Sequence, residues 1–422
     1  MKIPALSTVG KIGVACLATL LGLAMLEGAL EVRDRYARVP VVPHFVPDAR
    51  LGYRPNPKFP GHDTRGWDNF SALDHADIVV IGDSLVYGAV WPQWVGKQLH
   101  RTVYKLAADG YSPAQYVLLL EEALALKPQV IIATFDFGDD LYDPYEFVYR
   151  IGEFKRSAST SILDVSLTLP DAEVQSVLRR AEAIDPALMR RKYLDCRNPV
   201  EPPDPRLQTV RNILASPPLS PLSEIGMPPH LFTYLADHSV LLDAIRRRLF
   251  ATKRPGEKTE VAWPELCPRY EDQSLTTLFN PGYRKLVLDP TDPRIVEGER
   301  IALQSYHYIA ERCKASQCIF YVLMIPTKET AFRRRVEPTL RDQPYMLDLW
   351  KVEEHARANA QDFFAREHIA TIDTLPALQA LISSGINPYP NDADGHPVEA
   401  GYNAIANLVS ERLERDSIGD RK

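Results

Sequence analysis

Two hydrophobic rhythms alternate along this chain. Short apolar runs form the first: Ile78-Val79-Val80-Ile81, Thr102-Val103-Tyr104-Lys105-Leu106, Val130-Ile131-Ile132-Ala133-Thr134-Phe135, Cys318–Ile325 and Ile369-Ala370-Thr371-Ile372-Asp373. Their length and β-branched content predict five strands. Between them, apolar residues recur at helical spacing. Ser112-Pro113 predicts a helix start, with Ser as N-cap and Pro at the first helical position. Tyr116, Leu119, Leu120 and Ala123 then share one face until Lys127-Pro128 stops the helix. Leu303, Tyr306, Ala310 and Cys313 mark a second helix, residues 347–366 a third and residues 401–413 the last. Strands that are apolar throughout are covered on both faces. The pattern therefore predicts an α/β fold, a parallel five-stranded sheet between helical layers.

The rhythm breaks between residues 141 and 290. Val174, Val177, Leu178 and Ala181 form one helical patch, and Leu241, Ile245 and Leu249 another, with Pro-rich pieces between them. A crossover between parallel strands needs only about a dozen residues. The stretch therefore reads as a mainly helical inserted cap, dividing a core of residues 76–140 and 291–422. Residues 31–75, rich in Pro and Gly, read as a lead-in. At the N-terminus, Ile12–Leu26 carries no charge and Ala29-Leu30 extends it. Residues 11–30 are expected to form a transmembrane anchor after a cytoplasmic segment, 1–10. The run is short against the ~20 residues of a spanning helix, and a cleaved signal peptide is the alternative.

Composition narrows the class. The chain has 422 residues, is 45% hydrophobic and 25% charged, and carries a net charge of −6. Those proportions suit a globular protein with a sizeable core. With no basic stripe interleaved with aromatics, a nucleic-acid partner is not expected. Besides Cys16 there are four cysteines, an even set. In an oxidising compartment they would pair as Cys313 with Cys318 and Cys196 with Cys267; four buried thiols are the alternative. Without a CxxC motif a zinc site is not expected.

The candidate chemistry lies at two strand ends. Gly82-Asp83-Ser84-Leu85 follows the first strand, and the carboxyl edge of an open α/β sheet is where ligands bind. The simpler reading of Ser84 is an N-cap. Trp91 and Trp94 follow, as core residues or as a stacking platform for a sugar. Late in the chain comes Asn391-Asp392-Ala393-Asp394-Gly395-His396-Pro397, just before the last helix. A serine needs a base to act as a nucleophile at neutral pH, and a carboxylate orients a histidine base. The topology places both loops at one sheet edge. Asp139, Asp140, Asp392 and Asp394 as hard-cation ligands are the lesser reading, since no EF-hand or metalloprotease spacing supports it. No metal or cofactor is expected.

The Gly-Asp-Ser-Leu of residues 82–85, with the late Asp-Gly-His-Pro and Gly401-Tyr402, resembles the GDSL/SGNH hydrolase superfamily over about residues 76–140 and 290–415. The resemblance implies a three-layer, flavodoxin-like α/β/α fold and a catalytic triad. It places the nucleophile at Ser84, the base at His396 and the orienting acid at Asp394, with Asp392 as the alternative. It also implies an oxyanion hole from the Ser84 amide, the Gly110 amide and the residue at position 139. That residue is Asp139 where the family has Asn, and an ionised carboxylate cannot donate a hydrogen bond. The expected activity is hydrolysis of a carboxylic, possibly O-acetyl, ester on a small molecule or envelope glycan outside the cytoplasm. The alternatives are acyl transfer by the same triad, or a catalytically inactive scaffold that binds glycan or protein.

Overall fold

The computed structural model describes residues 42–149 and 267–416, together with the helical residues Ser176, Arg179 and Arg180. Apart from Val42, all of them belong to one compact unit. The expected anchor, Cys16, Cys196 and most of the expected cap lie outside the described residues.

The chain enters through an antiparallel hairpin, β1 (Phe45–Asp48) and β2 (Gly52–Pro55). The central sheet follows: β3 (Ile78–Gly82), β4 (Val103–Ala107), β5 (Val130–Asp136), β8 (Ile319–Ile325) and β9 (Ala370–Asp373). Its spatial order is β4-β3-β5-β8-β9 and every pair is parallel. In chain order this reads second, first, third, fourth, fifth. The strand order therefore reverses at β3, and ligand sites of open α/β sheets form at such a switch point.

The alternation of side chains along each strand divides the core into two layers. Val79, Ile81, Ile131, Ala133, Val322 and Met324 face one side. There they meet α2 (Pro113–Ala125), α3 (Asp143–Tyr149), α5 (Pro293–Ala315) and α7 (Pro344–Arg366). Ile78, Val80, Ile132, Leu323 and Ile372 face the other side, against α1 (Trp91–Leu99) and α9 (Glu399–Arg415). Both faces are buried, as unbroken apolar strands require. At roughly 25 cal/mol per Å² of apolar surface removed from water, this double burial is the main force holding the sheet.

A third cluster lies beyond β8. It joins α6 (Lys328–Leu340) and α8 (Leu375–Ser383) to the hairpin β6 (Arg269–Glu271) and β7 (Thr276–Leu278), through Phe279, Phe332, Trp350 and Leu378. A short helix, α4 (Pro281–Leu286), follows this hairpin. Residues 267–290, assigned from sequence to a mainly helical cap with no strong strand, contain two short strands that pack against α6 and α8. The three-residue strands are too brief to show in a periodicity.

Two alternatives are decided and one expectation changes. Ser84 is no N-cap: it sits in the turn where Val86 and Tyr87 donate to the Asp83 carbonyl (3.1 and 2.8 Å), and α1 begins only at Trp91. Trp91 is 0% exposed, its indole donating to the Leu85 carbonyl at 2.9 Å, so it packs the core rather than offering a platform; Trp94 packs beside it, half-buried. The expected Cys313–Cys318 bridge is absent; both are free, buried thiols in contact with each other. A backbone hydrogen bond from Cys318 N–H to the Cys313 carbonyl (3.0 Å), with Gln317 at φ +60, closes the end of α5 between them. Disulfides tolerate only a narrow geometry. Cys267 is disulfide-bonded.

Candidate active site

Three sheet-edge loops and one loop before α9 converge at the switch point. The first is the Ser84 turn. Gly82 ends β3 where a Cβ would come within 2.3 Å of Val86 and 2.6 Å of Thr134, so the turn closes tightly only with glycine. Asp83 Oδ1 accepts the Leu85 N–H at 2.8 Å and fixes the backbone on the far side of Ser84.

The second loop follows β4. Gly110 holds φ +71, a left-handed conformation that glycine adopts without strain. A Cβ there would sit 3.1 Å from the Tyr53 hydroxyl, which donates to the neighbouring Asp109 carbonyl. Gly110 also leads into α2. Gln115 Oε1 accepts the Ser112 N–H at 2.9 Å, one half of a capping box. Among the described residues, the amides of Ser84 and Gly110 have no acceptor in the protein.

The third loop, after β5, carries Gly138-Asp139-Asp140. The Asp139 carboxylate accepts the Tyr283 hydroxyl at 2.5 Å and lies 3.6 Å from the Arg284 guanidinium. Arg284 also donates to the Gly138 carbonyl at 3.1 Å. Asp139 therefore acts as an acceptor, not as the donor that its position would supply. Tyr283 and Arg284 come from α4, inside the stretch assigned to the cap, and no local signal distinguished them from ordinary surface residues.

The loop 387–397 brings the histidine. His396 Nε2 lies 2.8 Å from Ser84 Oγ. Its Nδ1 lies 2.6 Å from Asp394 Oδ1, which also accepts the His396 backbone N–H at 3.1 Å. Asp392 stands one step behind: its Oδ1 accepts the Asp394 N–H at 2.9 Å. Of the two aspartates weighed from sequence, the structure brings Asp394 to the imidazole and uses Asp392 to shape the turn.

Charge is concentrated here. Burial and Asp136 push the Asp83 carboxyl well up; burial and Asp139 push Asp136 up to about 7. Asp140 is buried and raised for the same reason, first burial and then Asp83. Burial disfavours the charged form of each of these carboxyls. The hydrogen bond to Asp394 raises His396 above its usual range, although burial opposes the shift. Among the described residues, no group of acidic, His and Cys side chains is arranged to hold a metal ion.

A serine hydroxyl, an imidazole and a carboxylate in one chain of hydrogen bonds, beside two amides without acceptors, have the parts for nucleophilic attack on a carbonyl.

No family model matches the chain, and no curated protein matches it. Among solved structures, it is similar to a GDSL-like lipase from Bacteroides thetaiotaomicron, with 9% identity and a TM-score of 0.30, covering 80% of this chain and 88% of that one. It is similar also to LAE5, an alpha/beta hydrolase enzyme from the metagenome of Lake Arreo, Spain, with 9% identity and a TM-score of 0.32, covering 83% of this chain and 99% of that one.

Proposed function

We propose that this protein is a serine esterase of SGNH type. The observation that supports it most is the continuous relay from Ser84 Oγ through His396 to Asp394, at 2.8 and 2.6 Å. Ser84 Oγ attacks the ester carbonyl while its proton passes to His396 Nε2. Asp394 holds the Nδ1–H tautomer and stabilises the imidazolium that forms. The amides of Ser84 and Gly110 donate to the oxyanion, and Asp139 takes no part. Collapse of the intermediate breaks the ester C–O bond, and the imidazolium returns its proton to the leaving alkoxide. His396 then takes a proton from water as its oxygen attacks the acyl carbonyl on Ser84; collapse of this second intermediate breaks the acyl C–Oγ bond, the imidazolium returns the proton to Ser84 Oγ, and the acid is freed.

The substrate class proposed is a carboxylic ester with a small acyl group, such as an O-acetylated glycan, outside the cytoplasm. The disulfide at Cys267 supports that compartment. No helix among the described residues is long and apolar enough to cross a membrane, and the anchor proposed for residues 11–30 lies outside them.

The test uses the full-length protein on a chromogenic acetyl ester beside Ser84→Ala, with a fluorophosphonate probe for the serine. Loss of the nucleophile is expected to cost on the order of 10⁶-fold in kcat. Equal rates for the two proteins, or labelling that does not require Ser84, would overturn the reading.

A further inference from the structure

Lys328 is the first residue of α6, directly after the edge loop of β8, and is 1% exposed. Its ammonium donates to three backbone carbonyls of one loop: Pro390 at 2.7 Å, Asp392 at 2.5 Å and Asp394 at 3.4 Å. It also lies 5.9 Å from the centre of the Tyr389 ring. Three donors thus meet three acceptors and an aromatic face, all from the segment just before His396.

We propose that Lys328 is a positioning residue of this site: its ammonium clamps residues 390–394 and thereby aims Asp394, and through it His396, at Ser84. The proposal rests on the esterase reading for its effect on rate, though not for the clamp itself.

The physical case begins with the loop. Residues 387–397 form no helix or strand, so their carbonyls lack regular partners. The Asp394 side chain has to point at His396 Nδ1 while its own carbonyl is held from behind. Lys328 supplies that hold. A neutral side chain of the same length would leave three carbonyls without their charged donor, and a charge-assisted hydrogen bond is roughly twice as strong as a neutral one.

The charged neighbours of the ammonium come from every side. Glu329 lies on its own helix, Asp392 and Asp394 on the clamped loop, and Arg284 on α4. Burial pulls Lys328 down to about 8, with the three carboxylates opposing and Arg284 adding to the fall. Below that pH the clamp is charged; above it the neutral amine keeps two donors but loses the charge that strengthens them.

Lys328→Met and Lys328→Arg test the proposal through kcat, KM, the pH profile and hydrogen–deuterium exchange of residues 387–397. Lys328→Met should lower kcat by about 10²-fold, the loss expected from a misplacement near 1 Å, with KM little changed. Its 387–397 amides should exchange faster, while those of β3 stay protected. Lys328→Arg keeps its charge at all accessible pH. It should recover most of kcat and move the alkaline fall in wild-type rate, near pH 8, to higher pH.

Wild-type kcat with wild-type exchange in Lys328→Met would overturn the clamp. So would an alkaline fall that stays near pH 8 in Lys328→Arg. If β3 also loses protection in Lys328→Met, the protein has unfolded and the Arg variant decides. If the wild type shows no Ser84-dependent turnover, the esterase reading fails, and the exchange measurement still judges the clamp.

Discussion

The turn that carries Ser84 and the loop that carries His396 stand at the same edge of the sheet, yet they are held in different ways. The Ser84 turn is local. Gly82 lets the backbone close on Val86, Asp83 caps Leu85, and the Val86 and Tyr87 amides return to the Asp83 carbonyl. The backbone hydrogen bonds that close the turn all lie within three residues of Ser84, while Thr134, the Trp91 indole on the Leu85 carbonyl and Asp68 on the Gly88 amide brace it from outside. The His396 loop is assembled at a distance. Val398 N–H donates to the Pro388 carbonyl at 2.9 Å, Asn387 reaches the Thr276 carbonyl at 3.1 Å, and Lys328 enters from another helix. The difference teaches that Ser84, the proposed nucleophile, is placed largely by local chain geometry. His396 and Asp394 are placed by tertiary contacts that a single substitution elsewhere can loosen.

The sharpest break in this comparison is at the acid. Asp394→Asn should keep the loop's shape but present the wrong hydrogen-bonding face to His396 Nδ1, lowering kcat about 10⁴-fold. Asp392→Asn, whose partner is a backbone amide, should cost far less, and steady-state kinetics on both variants separate the two roles. Asp392→Asn losing as much as Asp394→Asn would contradict the assignment of the imidazole partner.

Next in size is the packing of the Ser84 turn. Gly82→Ala puts a methyl group 2.3 Å from Val86 and 2.6 Å from Thr134. Overpacking of this kind costs about 1–3 kcal/mol, so the denaturation midpoint should fall clearly. A midpoint equal to the wild type would show that the turn is not closed as described.

The smallest effect is on pH dependence. In the proposed mechanism His396 works as a neutral base, and its proton affinity is raised above the usual histidine range by Asp394. Rate should therefore rise with pH through an acid limb lying above pH ~6.5, the value of an unperturbed histidine. In Asp394→Asn that limb should move to lower pH, because the group that stabilises the imidazolium is gone. A limb that does not move would separate Asp394 from His396.

How much of this was legible beforehand depends on the range of each interaction. The five strands, the helix opening at Pro113 and the parallel sheet follow from periodicity, which reports burial of one face or two. Ser84 and His396 carry a recognisable local pattern, so they could be named from the residues around them. Asp394 is preferred to Asp392 only through the resemblance; the turn of the loop is what sets it against the imidazole, with Asp392 behind it. Position 139 shows the limit more clearly. Its chemistry excluded a donor, but only the fold revealed that Tyr283 and Arg284 engage it. The cysteines teach the same lesson, since an even count does not tell that Cys313 and Cys318 remain free thiols.

By itself, the amino-acid order determined the strands, the two-sided core and the Gly-Asp-Ser turn, because these depend on residues within a few positions of each other. The tertiary structure alone decided that Ser84, His396 and Asp394 form one relay. It also decided that a lysine opening a helix after the fourth strand of the central sheet holds the loop before His396. Hydrogen bonds of that kind join segments brought together only by burying the sheet, and no spacing along the chain encodes their distances.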